Sequence, residues 1–101
     1  MLDTRNTLLL SALLVLSVSV SAFVEELDNT FLKTKGDDEI WLIEFYAPWC
    51  TVCEQLDPVW HQIGSEFKSL GSPVNVGKTD AMENSDLSKE FKIRNIPTII
   101  M

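Results

Sequence analysis

Hydrophobic and polar residues alternate along the chain with two different periods, which indicate strands and helices. Ile40 to Tyr46 is an almost unbroken apolar run with Glu44 in its middle. Such a run is typical of a strand that is covered on both faces. From Cys50 to Leu70 the apolar residues recur every three or four positions, which predicts one long helix. Pro58 falls inside this helix, and we expect it to introduce a kink.

The same periodicity predicts which face of the long helix is buried. Its apolar stripe consists of Val52, Leu56, Val59, Ile63, Phe67 and Leu70. Shorter segments complete the pattern, with strands expected at 23–27, 74–79 and 98–101 and short helices at 30–35 and 85–91. The order β-α-β-α-β-α-β predicts an α/β fold whose helices cover a sheet in layers.

The first 22 residues have the features of a secretory signal peptide. Arg5 provides a short positive start, residues 8–20 are apolar apart from serines, and Val20-Ser21-Ala22 offers small residues for cleavage. A membrane span needs about 20 apolar residues. Because this run is shorter, we favour a cleaved signal over an anchor, and no other segment of the sequence could span a bilayer. The expected domain therefore covers residues 23–101.

Length and charge limit the possible functions. The chain has 101 residues and a net charge of −7, which allows one small domain. The acidic balance, without any cluster of Lys or Arg, argues against a nucleic-acid partner. We interpret the acidic groups at 25–28 and 37–39 as solvated surface.

The candidate chemistry lies in the only two cysteines, Cys50 and Cys53. If a helix begins at Cys50, both thiols lie in its first turn on one face. The amino end of a helix also favours a thiolate at Cys50, and the thiolate is the form that attacks disulfides. This spacing predicts thiol–disulfide exchange.

Two other interpretations of the cysteine pair are a zinc half-site and a purely structural disulfide. A structural zinc site needs about four ligands, and the only histidine, His61, lies eight residues beyond Cys53. We therefore expect no metal, and His61 is interpreted as a residue of the helix surface. Trp41 and Trp60 are expected to pack in the core or on the surface rather than to bind a ligand.

Four groups of residues follow one another along the chain. They are Phe45-Tyr46-Ala47-Pro48-Trp49-Cys50 with Cys53, then Pro58, then Lys78-Thr79-Asp80-Ala81, and finally Ile93-Arg94-Asn95-Ile96-Pro97-Thr98. Together they resemble the thioredoxin-like domain of the protein disulfide isomerase family. Segments 23–28 and 69–73 look most like the membrane-anchored thioredoxin-related disulfide isomerases. The resemblance implies a thioredoxin-like fold with a central mixed sheet and flanking helices. The last strand and final helix of that fold are missing here, so we expect an incomplete domain.

The resemblance also implies roles for four residues. Cys50 would be the thiol that forms a mixed disulfide with a client protein, and Cys53 the buried thiol that releases the client. Glu44 and Lys78 correspond to a buried carboxylate and lysine that assist proton transfer to Cys53. A simple buried ion pair between Glu44 and Lys78 is the alternative.

Three further residues are expected to contact the client. Trp49 would shield the cysteines and offer apolar surface, the backbone of Ile96 would pair with an extended client segment, and Pro97 corresponds to a cis-proline opposite the cysteines. The implied redox cofactor is the cysteine pair itself, with no nucleotide, flavin or metal.

The resemblance implies disulfide exchange or isomerisation on client proteins in the endoplasmic reticulum lumen. Secretion, or a membrane anchor in a longer form, is the alternative location. A non-catalytic module that binds unfolded chains through an exposed apolar edge is the alternative function.

One difference from the family concerns the residues between the cysteines. Family isomerases typically carry Gly-His there, whereas this chain has Thr51-Val52. A histidine would stabilise the Cys50 thiolate, and neither Thr nor Val contributes charge. We therefore expect this site to be a weaker oxidant than a typical isomerase site.

Overall fold

The structure, a computed structural model, describes residues 23–101, so the predicted signal segment 1–22 lies outside the described residues. Within residues 23–101, four strands and three helices follow one another in the predicted order. They are β1 (Glu25–Glu26), α1 (Phe31–Thr34), β2 (Ile40–Tyr46), α2 (Thr51–Ser69), β3 (Val74–Asp80), α3 (Ser85–Glu90) and β4 (Thr98–Ile100). The predicted α/β layering is confirmed, and β1 is shorter than the sequence pattern suggested.

The strands form one mixed sheet in the order β1-β3-β2-β4. Strand β2 pairs in parallel with β3 from Ile40–Val74 to Tyr46–Asp80, and β1 pairs in parallel with β3 on its other side. Strand β4 runs antiparallel to β2, with Ile99 opposite Glu44. The near-continuous apolar sequence of β2 therefore belongs to an inner strand, as expected for a strand covered on both faces.

The helices cover the two faces of the sheet with separate cores. Helices α1 and α3 pack on one face, where the buried residues are Leu27, Phe31, Ile43, Phe45, Ala81 and Leu87. On the other face α2 packs through Trp60 against Val24 and Val76. The buried indole N–H of Trp60 donates a hydrogen bond to the carbonyl of Gly77 at 3.0 Å, and Trp41 packs edge-on against Phe31. The packing role predicted for both tryptophans is confirmed.

The predicted buried face of α2 is wrong for half of its residues. Leu56, Ile63 and Phe67 are partly buried, whereas Val52, Val59 and Leu70 are exposed. The helix instead buries Cys53, Trp60 and Gly64, which share one face at 3.6 residues per turn. Only Trp60 of these three is a large apolar residue, so the periodicity pointed to the neighbouring stripe.

Gly64 explains how closely α2 approaches the start of the domain. A Cβ atom at this position would lie 2.6 Å from the carbonyl oxygen of Phe23 and 2.8 Å from Cγ2 of Val24. Real Cβ atoms do not approach other atoms so closely, and thus only glycine fits without movement of the neighbouring chain. None of the helices within residues 23–101 has the length and hydropathy required to cross a bilayer.

Candidate active site

The cysteine pair lies where β2 passes into α2. After β2 the chain turns through Ala47 to Trp49, and the N–H of Cys50 donates to the carbonyl of Ala47 at 3.1 Å. Cys50 is the N-cap of α2, and its Sγ accepts a hydrogen bond from the N–H of Cys53 at 3.2 Å. The positive end of the helix dipole therefore lies next to the Cys50 sulfur. This arrangement favours a thiolate on Cys50 when the pair is reduced.

Cys50 and Cys53 are joined by a disulfide, and their Cα atoms are 5.2 Å apart, inside the usual range for disulfides. Both residues are buried, Cys50 with 8% and Cys53 with 4% of its surface exposed. The neighbouring Trp49 is 67% exposed. The pair thus lies just below the surface beside a large apolar side chain that is open to contact.

The loop before β4 reaches the same place. Ile96 packs against the buried cluster of Ala47, Cys50 and Cys53. The Ile96–Pro97 peptide bond is cis, as the sequence resemblance predicted. The structure therefore brings the Ile96–Pro97 segment and the cysteines together, although 43 residues of sequence or more separate them.

A zinc site would need ligands besides the two cysteines. The part of the chain that the structure describes contains no group of three or more His, Cys, Asp or Glu residues placed to hold a metal ion. His61 lies on α2, partly exposed, with its Nε2 3.5 Å from Oδ1 of Asp57.

A cavity of about 290 Å³ lies on the α2 side of the sheet and reaches one of the two cysteines. Its lining includes Cys53 and five groups that carry protons or charge: Glu44, Tyr46, Glu54, Asp57 and Lys78. Cys50 is not part of this lining. The cavity therefore places the second cysteine of the pair beside these titratable groups.

Glu44 is the buried carboxyl group of this cavity. It is 1% exposed, and its Oε2 has no hydrogen-bond partner. Burial raises the pKa of Glu44 from its usual 4.5 to about 7, and the positive charge of Lys78 opposes this rise in part. A carboxyl group with such a pKa takes up and releases a proton near neutral pH.

Lys78 is the neighbour of Glu44 across the parallel pair of β2 and β3, and both side chains lie on the α2 face. Its ammonium group nevertheless donates to Oδ1 of Asp57, 2.8 Å away, and lies 5.3 Å from the centre of the Tyr46 ring. No direct ion pair joins Glu44 and Lys78. The alternative of a simple buried ion pair between these two residues is therefore wrong. Asp57 is more exposed than Glu44, and a charged carboxylate costs less where water reaches it.

Sequence reasoning missed Asp57 as a member of the site. A signal was present, because Asp57 follows Cys53 by four residues and residues at that spacing share a helix face.

Tyr46 joins the site to β1. Its hydroxyl donates to Oε2 of Glu26 at 2.8 Å. Burial raises the pKa of Glu26, and the hydrogen bond from Tyr46 lowers it in part. Burial, together with the bond to Glu26, also raises the pKa of Tyr46. The tyrosine therefore stays a neutral donor, and its ring remains fixed beside the Lys78 ammonium.

A disulfide between two cysteines at the start of a helix, next to a mixed sheet of this topology, defines a thioredoxin-type domain. The profile of the family described as Thioredoxin matches residues 15–101 of the chain. The chain belongs to the thioredoxin family, and the fold predicted from the sequence is confirmed.

Among curated proteins the chain is similar to several protein disulfide isomerases. It is 51% identical over 89 residues to protein disulfide-isomerase TMX3 of Xenopus laevis, a match that covers 88% of this chain and 20% of the relative. It is 33% identical over 101 residues to protein disulfide-isomerase 1 of Caenorhabditis elegans, covering 93% of this chain and 21% of that protein. The chain thus spans about a fifth of the length of these relatives.

A solved structure gives the same result. The solution structure of the first thioredoxin domain of mouse Protein disulfide-isomerase A4 matches with a TM-score of 0.66 at 37% identity. The match covers 73% of this chain and 54% of that chain. The family resemblance predicted from the sequence motifs is confirmed.

Proposed function

We propose that this chain is a thiol–disulfide oxidoreductase domain that exchanges disulfides with client proteins. The observation that carries the proposal is the Cys50–Cys53 disulfide at the amino end of α2, with Cys53 lining a cavity that also holds the buried Glu44. The disulfide itself is the redox group. The exposed Trp49 and the Ile96–Pro97 segment beside the pair serve as contact surface for the client.

Exchange begins when the reduced domain meets a client disulfide. The Cys50 thiolate, stabilised by the helix dipole and by the N–H of Cys53, attacks one client sulfur. A bond forms between Cys50 Sγ and that sulfur, while the client S–S bond breaks. The other client sulfur leaves with the electron pair as a thiolate and takes up a proton. The product is a mixed disulfide.

The second step releases the client. Cys53 gives its proton to the Glu44 carboxylate, and the new thiolate attacks Cys50 Sγ. The mixed disulfide breaks, and the client sulfur leaves with the electron pair and takes up a proton. In total the client gains two electrons and two protons, and the domain is oxidised to the Cys50–Cys53 disulfide. The reverse sequence oxidises a client dithiol, with Glu44 returning the proton to Cys53.

The proposal is tested with the full chain and a fluorescent glutathione disulfide as the probe. Reduced wild-type chain is expected to cleave the probe, Cys50→Ser to lose all exchange, and Cys53→Ser to stop at a mixed disulfide that mass spectrometry detects. Thr51→Ser, between the cysteines, is the matched control and should retain exchange. Equal rates for wild type and Cys50→Ser would overturn the proposal.

A second candidate function is the binding of unfolded chains without catalysis. It is supported by large apolar side chains left exposed on the same molecule, namely Trp49, Val52, Val59 and Ile99. The Cys50→Ser variant separates the two functions, because it removes exchange and leaves apolar binding unchanged. Binding of an unfolded, cysteine-free polypeptide by this variant, combined with no exchange in wild type, would favour the second function.

We also propose that the chain acts in the endoplasmic reticulum lumen, with residues 1–22 as a cleaved signal peptide and residues 23–101 as the thioredoxin-type domain. The apolar run at 8–20, the small residues before 23 and a paired cysteine set support this location. Fractionation of cells that express a tagged chain tests it. Recovery in the cytosol with residues 1–22 still attached would contradict it.

A further inference from the structure

Asp57 has no role in the function proposed above, yet it is the hydrogen-bond partner of the positive charge in the cavity. Its Oδ1 accepts from the Lys78 ammonium at 2.8 Å and lies 3.5 Å from Nε2 of His61 one turn further along α2. Asp57 follows Cys53 by four residues, and both line the cavity. A carboxylate on the helix therefore holds a lysine of the sheet.

The position of Lys78 is fixed from two sides. Besides the hydrogen bond to Asp57, its Nζ lies 5.3 Å from the centre of the Tyr46 ring, and the Tyr46 hydroxyl is held by Glu26 at 2.8 Å. Glu44 is the neighbour of Lys78 across the strand pair but receives no hydrogen bond from it. The contacts of Lys78 thus draw the ammonium away from the buried carboxyl group.

Resting on the proposed function, we propose that Asp57 is a positioning residue: it holds Lys78 so that Glu44 stays free of an ion pair and available to exchange a proton with Cys53. An ammonium bonded directly to Glu44 would keep that carboxylate charged and make it a poor proton carrier near neutral pH. With Lys78 on Asp57, Glu44 keeps an unpaired oxygen in the cavity that Cys53 also lines.

The surroundings of Glu44 include charged groups from several elements. Lys78 of β3 favours its charged form, whereas Asp57 of α2 and Glu26 of β1 disfavour it. Strand β4 contributes the uncharged Ile99 opposite Glu44. Removal of the Asp57 charge lowers the pKa of Glu44, and release of Lys78 toward Glu44 lowers it too. Loss of Asp57 is therefore expected to lower the pKa of Glu44.

The test compares four variants of the full chain, with the pKa of Glu44 followed by NMR of its side-chain carboxyl carbon. Asp57→Asn keeps the shape of the side chain, and it is expected to lower the pKa of Glu44 by about one unit. Lys78→Met is expected to raise it. When Lys78→Met is already present, Asp57→Asn should change the pKa of Glu44 by less than half as much as it does when Lys78 is present. Glu66→Gln, an exposed carboxylate on the same helix, is the control and should change nothing.

A direct effect of the Asp57 charge on Glu44, without Lys78, would give a different outcome. If Asp57→Asn shifts the pKa of Glu44 equally with and without Lys78, Asp57 does not act through Lys78, and the inference is overturned. It is also overturned if Asp57→Asn leaves the pKa unchanged or raises it.

A second readout separates this inference from the proposed function. The rate at which Cys53 releases a mixed disulfide, measured against pH, should shift to lower pH in Asp57→Asn by the same amount as the pKa of Glu44. If wild type shows no exchange, the proposed function fails while the NMR titration still decides the role of Asp57. If wild type exchanges and the pH profile of Asp57→Asn coincides with it, the inference alone fails.

Discussion

Ile99 of β4 lies directly opposite Glu44 of β2, so a carboxyl group that is only 1% exposed has an isoleucine as its cross-strand neighbour. Directly opposed side chains in an antiparallel pair lie within about 5 Å at their Cβ atoms. Ile99 is itself 47% exposed. The isoleucine is therefore placed where it can keep water from the buried carboxyl group on the β4 side.

Shortening this side chain should change the titration of Glu44. Ile99→Ala lets water approach the carboxyl group, and since burial is the main cause of the raised pKa, that pKa should fall from about 7 toward 4.5. Carboxyl NMR titration measures it. Ile40→Ala, which trims a similarly exposed isoleucine at the far end of β2, is the control. An unchanged pKa in Ile99→Ala would show that other groups keep water from Glu44.

The raised pKa of Glu44 also predicts how stability depends on pH. The folded carboxyl group binds its proton more tightly than the unfolded one, so its contribution to stability is fully present below about pH 4.5 and lost as pH rises through about 7. The shift corresponds to about 3 kcal/mol. Relative to Glu44→Gln, the wild-type chain should therefore become less stable between pH 5 and 8, as measured by denaturant unfolding at each pH. Parallel curves for the two proteins would contradict the raised pKa.

Glu44→Gln should also slow exchange at one particular step. A glutamine cannot accept the Cys53 proton, so release of the mixed disulfide should slow by about tenfold or more, while the attack of Cys50 on the probe keeps its rate. Stopped-flow fluorescence separates the two steps. Glu54→Gln removes another carboxylate that lines the same cavity and serves as the control. Equal release rates in wild type and Glu44→Gln would show that Cys53 uses a different proton acceptor.

The residues between the cysteines should set the redox potential. With Thr51 and Val52 there, we expect a potential below about −180 mV against glutathione buffers. Val52→His adds a group that stabilises the Cys50 thiolate, and it should raise the potential by about 30 mV or more. Val52→Ala is the control, because the side chain is exposed and a smaller one adds no charge. A wild-type potential above about −180 mV would refute the expectation.

Gly64→Ala should destabilise the domain in spite of the better helix propensity of alanine. The added Cβ would lie 2.6 Å from the Phe23 carbonyl oxygen, which is backbone and cannot rotate away. We expect a loss of about 1–3 kcal/mol in the free energy of unfolding. Ser65→Ala, at the exposed next position of α2, should be neutral or stabilising. Greater stability in Gly64→Ala would mean that α2 can move away from β1 at little cost.

Much of the fold could be predicted because local patterns were strong. The apolar run of β2 and the periodic sequence of α2 gave both elements to within a residue. Strand β1 was harder, since a two-residue strand exists only through its pairing with β3 and leaves little local signal. The buried face of α2 was partly misassigned because two of its three buried residues, Cys53 and Gly64, are small.

The parts of the site that depend on distinctive single residues could be predicted from the sequence. Cys50 and Cys53 could be identified from residue type and spacing, whereas Glu44 was assigned its role through the family resemblance. The hydrogen-bond partner of Lys78 could not be predicted. The choice between Glu44 and Asp57 depends on how α2 lies over the sheet and on which of the two carboxylates water reaches.

The close packing of Phe23 against Gly64 has a consequence for the signal-peptide cleavage proposed above. Cleavage after residue 22 would require that the chain on both sides of the cut be accessible and not packed into the fold. Phe23 and Val24 do not meet this condition while they are packed against α2. We therefore expect cleavage to precede folding. A chain that folds first would keep the signal peptide, whereas a chain that is cut first is free to pair β1 with the sheet.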